Sequence, residues 1–228
     1  MDATERFAAA VAAPAGKMRL DVAALCLAAH AHPGLDIDRE CARLDDLAQR
    51  CPTATFDGMR ACLFETLGFR GNTHDYGDPE NSFLDSVLER RVGIPISLAV
   101  VVMEVGRRIG VPVHGVGMPG HFLVMDAARE GVWCDPFHGG ALYDVDGCRR
   151  IFSRVHGNAR GFSRALLAPT DSHEIVARML ANLESGRLAS DPMALGWMCE
   201  LHLMLPHLPD DQRARISTAR RAVRARWN

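Results

Sequence analysis

The stretch that decides the fold is GIPISLAVVVMEVGRRIG, Gly93 to Gly110. Pro95 suits the first turn of a helix, where its missing N–H costs no hydrogen bond, and Gly110 suits a helix end. Between them the residues are apolar almost all round the helix, as is typical of a helix covered by other elements. The uncharged run within it, Val92 to Met103, is too short to span a bilayer. The stretch therefore predicts a central, buried helix.

Three short runs follow the predicted central helix: VPVHGVGM, HFLVMDA and GVWCDPF. They are rich in β-branched and aromatic residues and are separated by Gly and Pro, which predicts a small antiparallel sheet. One core helix packed on such a sheet is an α+β arrangement.

The first seventy residues are predicted to be helical. Apolar residues at helical spacing predict a hairpin over Arg19–Arg50 and a third helix over Ala54–Leu67, which Gly68 ends. The turn-rich segment GNTHDYGDPENS, Gly71–Ser82, marks a boundary, and a short helix is expected over about Ser82–Arg90.

The chain after Pro169 is predicted to form a helical hairpin, because SHEIVARMLANLESGRL and PMALGWMCELHLMLP both alternate with a period of 3.6 residues. The last segment, Gln212–Asn228, holds six arginines and no acid, and we interpret it as a solvated terminal helix with no functional role. The predicted domains are a helical N-terminal lobe (1–75), the α+β core (76–165) and a helical C-terminal appendage (166–228).

Composition narrows the class of protein. The net charge of −2 gives no electrostatic reason to expect a nucleic-acid partner. Seven cysteines, an odd number without a Cys-x-x-Cys pair, do not indicate a disulfide framework or a zinc ribbon and favour a reducing cytoplasm. The N-terminus lacks the basic first region of a secretory signal, and no Gly-rich phosphate loop occurs. We therefore expect a cytoplasmic protein with no membrane contact and no cofactor.

One set of residues has the order of a papain-type catalytic site. Such a site needs a nucleophile at the N-terminus of a buried helix, and a His and an acid from the sheet packed on that helix. Ser97, His121 and Asp135 occur in this order. His121 opens one predicted strand and Asp135 closes the next, so we expect the two side chains to lie side by side.

Other reactive residues are weaker candidates. Cys134 neighbours Asp135 in a strand, so the two side chains leave opposite faces and Cys134 is expected to be buried in packing. His114 and His138 could join His121, Cys134 or Asp135 in a metal site, but no pair has a recognised ligand spacing. We therefore predict no metal.

Several blocks of the sequence resemble a known family: LFETLGFRGN, DPENSFLDSVLERRVGIPISLAVVVMEVGRRIGVPVHGVGMPGHFLV and DPFHGG are similar to the signature blocks of the SirB1 family. The likeness runs from about Leu25 to Cys148 and continues more weakly into the C-terminal helices, which in that family resemble tetratricopeptide-type hairpins. SirB1 proteins belong to the transglutaminase-like superfamily, so the resemblance implies a transglutaminase-like, papain-like core.

The resemblance also assigns positions in the site. The pattern of an active transglutaminase-like site is Gly-x-Cys-x-x-x-Ala, then a His, then an Asp followed by Pro. Gly93 and Ala99 match the Gly and Ala, while His121 and Asp135 match the other two. Pro95 then falls on the cysteine, so the nucleophile position holds a residue without a reactive atom.

Two more positions resemble family-signature residues that flank the cleft. Asn81 is expected to cap the helix that starts at Ser82, and Arg91 to pair with a carboxylate such as Asp78 or Glu80. Both roles are structural.

The sequence leaves two classes of function open. Ser97 reaches the nucleophile position only if the register shifts by two residues, a rotation of roughly 200° on a helix. The first class is a degenerate, non-crosslinking member that binds a peptide or protein partner in the cleft around Ser97, His121 and Asp135. The second is an amide or ester hydrolase or acyl transferase with a Ser97–His121–Asp135 triad. We favour the first because a serine hydroxyl is barely ionised and replaces a thiolate poorly.

Overall fold

The computed structural model describes residues 1–225, so residues 226–228 of the predicted Arg-rich helix lie outside the described part, as do the side chains at 187 and 224. The helices and strands are, in chain order, α1 (Ala3–Val11), α2 (Leu20–Ala31), α3 (Ile37–Gln49), α4 (Phe56–Arg60), β1 (Arg70–Gly71), α5 (Leu84–Arg90), β2 (Val92–Gly93), α6 (Pro95–Ile109), β3 (Val113–Val116), β4 (Leu123–Asp126), β5 (Trp133–Asp135), β6 (Ala141–Tyr143), α7 (Val145–His156), α8 (Ser172–Ser185), α9 (Pro192–Leu203) and α10 (Asp210–Arg224).

Helix α6 is the predicted central helix. It begins at Pro95 and ends before Gly110, whose φ of 75° is the left-handed conformation that glycine adopts without strain. It packs against the helices α2, α3, α4 and α5 and against the strands β3 and β4. No helix in residues 1–225 is long and apolar enough to cross a membrane.

The N-terminal helices confirm most of the predicted pattern. Helices α2 and α3 form the expected hairpin, with the Asp36 carboxylate accepting from the N–H groups of Asp38 and Arg39 at the start of α3. Helix α4 continues as a π-helix over Ala61–Thr66, so the third predicted helix has the expected length but a wider last part. Gly68, at φ 75°, follows it.

The main sheet is antiparallel, with the order β3-β4-β5-β6. Its first three strands are the predicted ones. Strand β6 and the short parallel pair of β1 with β2 were not predicted, because two- and three-residue strands carry almost no periodic signal. In the sheet Val124 of β4 lies opposite Cys134 of β5.

The predicted partner of Arg91 is wrong. Arg91 ends α5 in the left-handed conformation, at φ 56°, and this backbone directs its side chain to the Leu67 carbonyl oxygen at 2.9 Å. The neighbouring Arg90 forms the ion pair with Asp78 instead, at 2.8 Å.

The C-terminal helices form the predicted hairpin, in which α8 and α9 pack together and α10 packs on α9. Helix α8 also contacts α2 and α6, so the hairpin is joined to the rest of the chain. One hydrophobic cluster runs through all three predicted segments and includes Phe7, Val100 and Leu180.

Candidate functional site

Asp135 is the centre of the candidate site. It closes β5 and is fully buried. Its Oδ1 accepts hydrogen bonds from the backbone N–H groups of Phe137 (3.0 Å) and His138 (3.2 Å), which form a turn after the strand. Its Oδ2 lies 2.8 Å from His121 Nε2 and 2.7 Å from His138 Nδ1. One carboxylate therefore orients two imidazole rings.

The environment of Asp135 favours its ionised form. Burial by itself raises the pKa of a carboxyl, but the hydrogen bonds and the charge interactions with His121 and His138 outweigh it, so the pKa of Asp135 lies below its ordinary value. At neutral pH the carboxylate can thus accept both imidazole N–H groups.

His121 is bound to Asp135 through one ring nitrogen only. Its side chain is 8% exposed, and Nδ1 has no hydrogen-bond partner among the described residues. A ring held at Nε2 by a carboxylate, with Nδ1 open, is the arrangement of the His in a papain-type triad. The structure therefore brings His121 and Asp135 together as predicted.

Ser97 faces a different part of the molecule. Its hydroxyl donates to the Asn81 carbonyl oxygen at 2.5 Å and accepts from the Ile94 N–H at 3.1 Å. The side chain is fully buried, and a Cβ on Gly93 would lie 2.7 Å from its Oγ. None of the hydrogen bonds of Ser97 goes to His121, so the structure does not bring the third member of the predicted triad to the other two.

Asn81 anchors the segment against which Ser97 is bonded. Its side chain is fully buried, where Nδ2 donates to the carbonyl oxygens of Asp75 (2.8 Å) and Tyr76 (3.3 Å) and Oδ1 accepts from Asn72 Nδ2 (3.0 Å). It does not cap α5 as predicted, since Phe83 precedes that helix and gives no side-chain cap. The prediction failed because the Asn81 side-chain amide forms its hydrogen bonds with the loop before α5.

Of the three weaker candidates, Cys134, His114 and His138, only His138 contacts Asp135 through its side chain. Cys134 is buried as expected, and burial raises the pKa of its thiol to about 12, so it supplies no thiolate at neutral pH. His114 is exposed on β3 and forms no hydrogen bond with the site. His138, which the sequence offered only as a weak metal-ligand candidate, contacts Asp135 through the turn after β5.

Arg178 of α8 is a residue of the site that the sequence missed. Its guanidinium donates to the carbonyl oxygens of Met118 (2.9 Å) and His121 (2.7 Å) and lies over the Phe122 ring. It holds the turn that carries His121, and burial lowers its pKa from the ordinary value. Its partners are backbone atoms almost sixty residues away, so no sequence motif could reveal the contact.

An aromatic surface adjoins His121 and consists of Tyr76, Phe137 and His138. The Phe137 ring is 5.7 Å from that of Tyr76, 5.3 Å from that of His138 and 6.3 Å from that of His121, measured between centroids. Tyr76 is 55% exposed, and His138 is exposed as well. Aromatic groups with one free face are typical of protein-binding surfaces.

One cavity along α8 is separate from the aromatic surface and the imidazoles. About 580 Å³ in volume, it lies between α8 and the turn before α10, and Arg178, Ala181 and Leu205 contribute to its lining. His121, Asp135 and His138 do not line it. The imidazole–carboxylate group is thus bordered by the aromatic surface and not by this cavity.

The chain is similar to proteins of bacteria and of mammals. A UPF0162 protein of Xylella fastidiosa is 40% identical over 159 residues, which cover 67% of this chain and 57% of the relative. A UPF0162 protein of Pseudomonas aeruginosa is 32% identical over 181 residues, covering 75% and 66%. The human F-box only protein 21 is 37% identical over 138 residues, covering 57% and 21%. The match thus spans less than two thirds of each relative, and no solved structure gives a significant match.

The family match covers the site itself. The family model described as "Transglutaminase-like superfamily" matches residues 21–181, which include α6, the whole sheet and most of α8. This is well over half of the chain, and it contains Ser97, His121 and Asp135. The chain therefore belongs to the transglutaminase-like superfamily.

Proposed function

We propose that this protein is a SirB1-type, non-crosslinking member of the superfamily that binds a peptide segment of a partner protein at His121 and the adjoining aromatic surface. The observation that carries the proposal is the hydrogen bond from the Ser97 hydroxyl to Asn81. It engages the hydroxyl of the predicted triad with a backbone oxygen, and on the family pattern Pro95 falls at the position of the cysteine.

The retained imidazole–carboxylate pair supports a recognition role. Nδ1 of His121 has no partner within residues 1–225, so it can exchange a hydrogen bond with a bound backbone or side chain. The Tyr76 ring is mostly exposed beside Phe137 and offers apolar area at a low cost in side-chain entropy. Together they provide the polar and apolar contacts that a peptide site needs.

The proposed location is the cytoplasm. All seven cysteines are free, and a reducing compartment preserves such thiols.

Peptide selection tests the binding proposal. A random peptide library is displayed on phage and panned against the purified protein, and selected peptides are measured by fluorescence anisotropy. Tyr76→Ala should weaken binding at least about tenfold if Tyr76 is a contact residue. The matched control is Met193→Ala, which removes another exposed large apolar side chain, 64% exposed, from α9. Peptides that bind Tyr76→Ala as tightly as the native protein would contradict the proposal, as would a library that yields no binder.

Serine-directed labelling tests the enzyme alternative. A hydrolase or acyl transferase with a Ser97–His121–Asp135 triad would react with a fluorophosphonate probe, and both Ser97→Ala and His121→Ala would abolish the label. We expect no labelling, because the Ser97 hydroxyl is buried and bonded to a carbonyl oxygen. If the native protein is labelled and both variants are not, the protein is an enzyme with this triad and the binding proposal is wrong.

A further inference from the structure

We infer that His121, Asp135 and His138 form a binding site for a divalent transition-metal ion, with two imidazoles and one carboxylate as ligands. One ligand atom from each residue lies within 4.8 Å of the other two. Across the described residues, this is the only group of three or more His, Cys, Asp or Glu side chains that meets this condition. The inference goes beyond the proposed binding function and does not depend on it.

The distances require only a small adjustment for an ion to bind. His121 Nε2 and His138 Nδ1 lie 2.8 and 2.7 Å from the same oxygen, Asp135 Oδ2. Metal–nitrogen and metal–oxygen bonds of about 2.0–2.2 Å place the ligand atoms of a tetrahedral site roughly 3.3 Å apart. Each imidazole nitrogen therefore needs to lie about 0.5 Å further from Asp135 Oδ2 than in the hydrogen-bonded arrangement.

The proton balance is also simple. An imidazole binds a metal through an unprotonated nitrogen. When the ion displaces the two hydrogen bonds to Asp135, the ring proton of neutral His121 moves from Nε2 to Nδ1, and that of His138 moves from Nδ1 to Nε2. Each ring keeps one proton, and the carboxylate stays ionised.

The surroundings of Asp135 resemble those of a carboxylate in a supported metal site. The backbone N–H groups of Phe137 and His138 hold Asp135 Oδ1, and such contacts to the outer atoms of a ligand fix its orientation. Asp135 is fully buried and His121 is 7% exposed, whereas the side chain of His138 is 43% exposed. One side of the site is therefore open to water or to a ligand atom, as in catalytic metal sites with three protein ligands.

The ligand set points to the kind of ion. Two imidazoles and one carboxylate suit zinc and iron(II) better than calcium or magnesium, which prefer oxygen ligands. The competing explanation is that the three side chains are held together by hydrogen bonds alone. A metal site and a hydrogen-bonded cluster differ in a measurable way. A purely hydrogen-bonded cluster has no saturable affinity for an ion.

Calorimetric titration of the chelator-treated, dialysed protein with zinc chloride tests the inference. We expect one zinc ion per chain, with the affinity at least about 100-fold lower in His138→Ala, since one of three protein ligands is lost. His138 is the residue of choice because it is exposed, and far-UV circular dichroism checks that the variant is folded. The matched control, His114→Ala, removes an exposed histidine of β3 and should leave the affinity unchanged.

Cobalt(II) provides a second readout, because its visible absorption depends on coordination by the imidazoles. The native protein and His114→Ala should give the same spectrum, and His138→Ala should lose it. Absence of saturable binding, or equal zinc affinity in His138→Ala and the native protein, would overturn the inference. Peptide binding measured in the presence of a chelator still tests the proposed function separately.

Discussion

The N-terminal turn of α6 and the turn after β5 hold the two halves of the predicted catalytic layout, and they differ in what their polar groups are free to do. At the start of α6, the Ser97 hydroxyl is bonded to Asn81 and Ile94. After β5, the Asp135 carboxylate holds His121 and leaves its second ring nitrogen without a partner in the described chain.

The hydroxyl at one end of the predicted layout is bonded to backbone atoms, whereas the imidazole at the other end keeps one ring nitrogen without a partner in the described residues. A buried hydroxyl must find partners within the protein, and those nearest to Ser97 are backbone atoms. The imidazole lies just before β4 and shares its carboxylate with a half-exposed histidine. The following substitutions separate a structural turn from an adaptable one.

The largest effect is expected at Asn81. Asn81→Leu removes three hydrogen bonds of a fully buried side chain and leaves the Asn72 amide and two carbonyl oxygens without this partner. We expect the free energy of unfolding to fall by about 3 kcal/mol, measured by urea denaturation. Asn158→Leu, at an exposed turn, is the matched control and should cost under about 1 kcal/mol. A similar small loss in both variants would mean that the α6 turn is not structurally fixed.

An intermediate effect is expected at Asp135. Asp135→Asn keeps the shape but removes the charge that accepts from two imidazoles, and we expect a loss of about 2 kcal/mol at pH 7. The folded pKa of Asp135 lies below its ordinary value of 3.8. Its contribution is therefore fully present above that value and is lost as the pH falls through the folded pKa.

The pH dependence of this variant checks the assignment. Denaturation of the native protein and of Asp135→Asn is compared at pH 7, at pH 5 and below pH 4. The difference in unfolding free energy should shrink as the pH falls from about 5 through the folded pKa of Asp135. A difference that does not change on acidification would show that the carboxylate charge has no part in stability.

The smallest effect is expected at His138. The ring is 43% exposed and contributes one hydrogen bond to Asp135, so His138→Ala should cost about 1 kcal/mol or less in the presence of a chelator. His114→Ala serves as the comparison, and urea denaturation measures both. If His138→Ala lowers the free energy of unfolding by more than about 2 kcal/mol, the turn after β5 is structurally fixed like the α6 turn, and the contrast between the two turns is wrong.

The sequence predicted the elements with a strong period and the residues with a strong local signal. Pro95 and Gly110 marked the ends of α6 correctly, because each acts through its own backbone. The three runs that became β3, β4 and β5 were visible in their composition. The positions of His121 and Asp135 in the predicted strands correctly indicated that their side chains lie together.

The predictions that failed share a physical cause. Asn81 and Arg91 bond to partners chosen by the path of the backbone, and both differ from the expected cap and ion pair. Arg178, for which the sequence made no prediction, contacts carbonyl oxygens about sixty residues away. Such contacts carry no periodic or spacing signal.

The sequence by itself therefore determined the α+β class, the central helix and the pairing of His121 with Asp135, since these follow from periodicity, backbone propensity and a recognisable family pattern. Only the tertiary structure decided what Ser97 does. A hydroxyl bonds to whichever acceptor lies within about 3 Å in the right direction, and the fold places the Asn81 carbonyl oxygen there, with no hydrogen bond to His121.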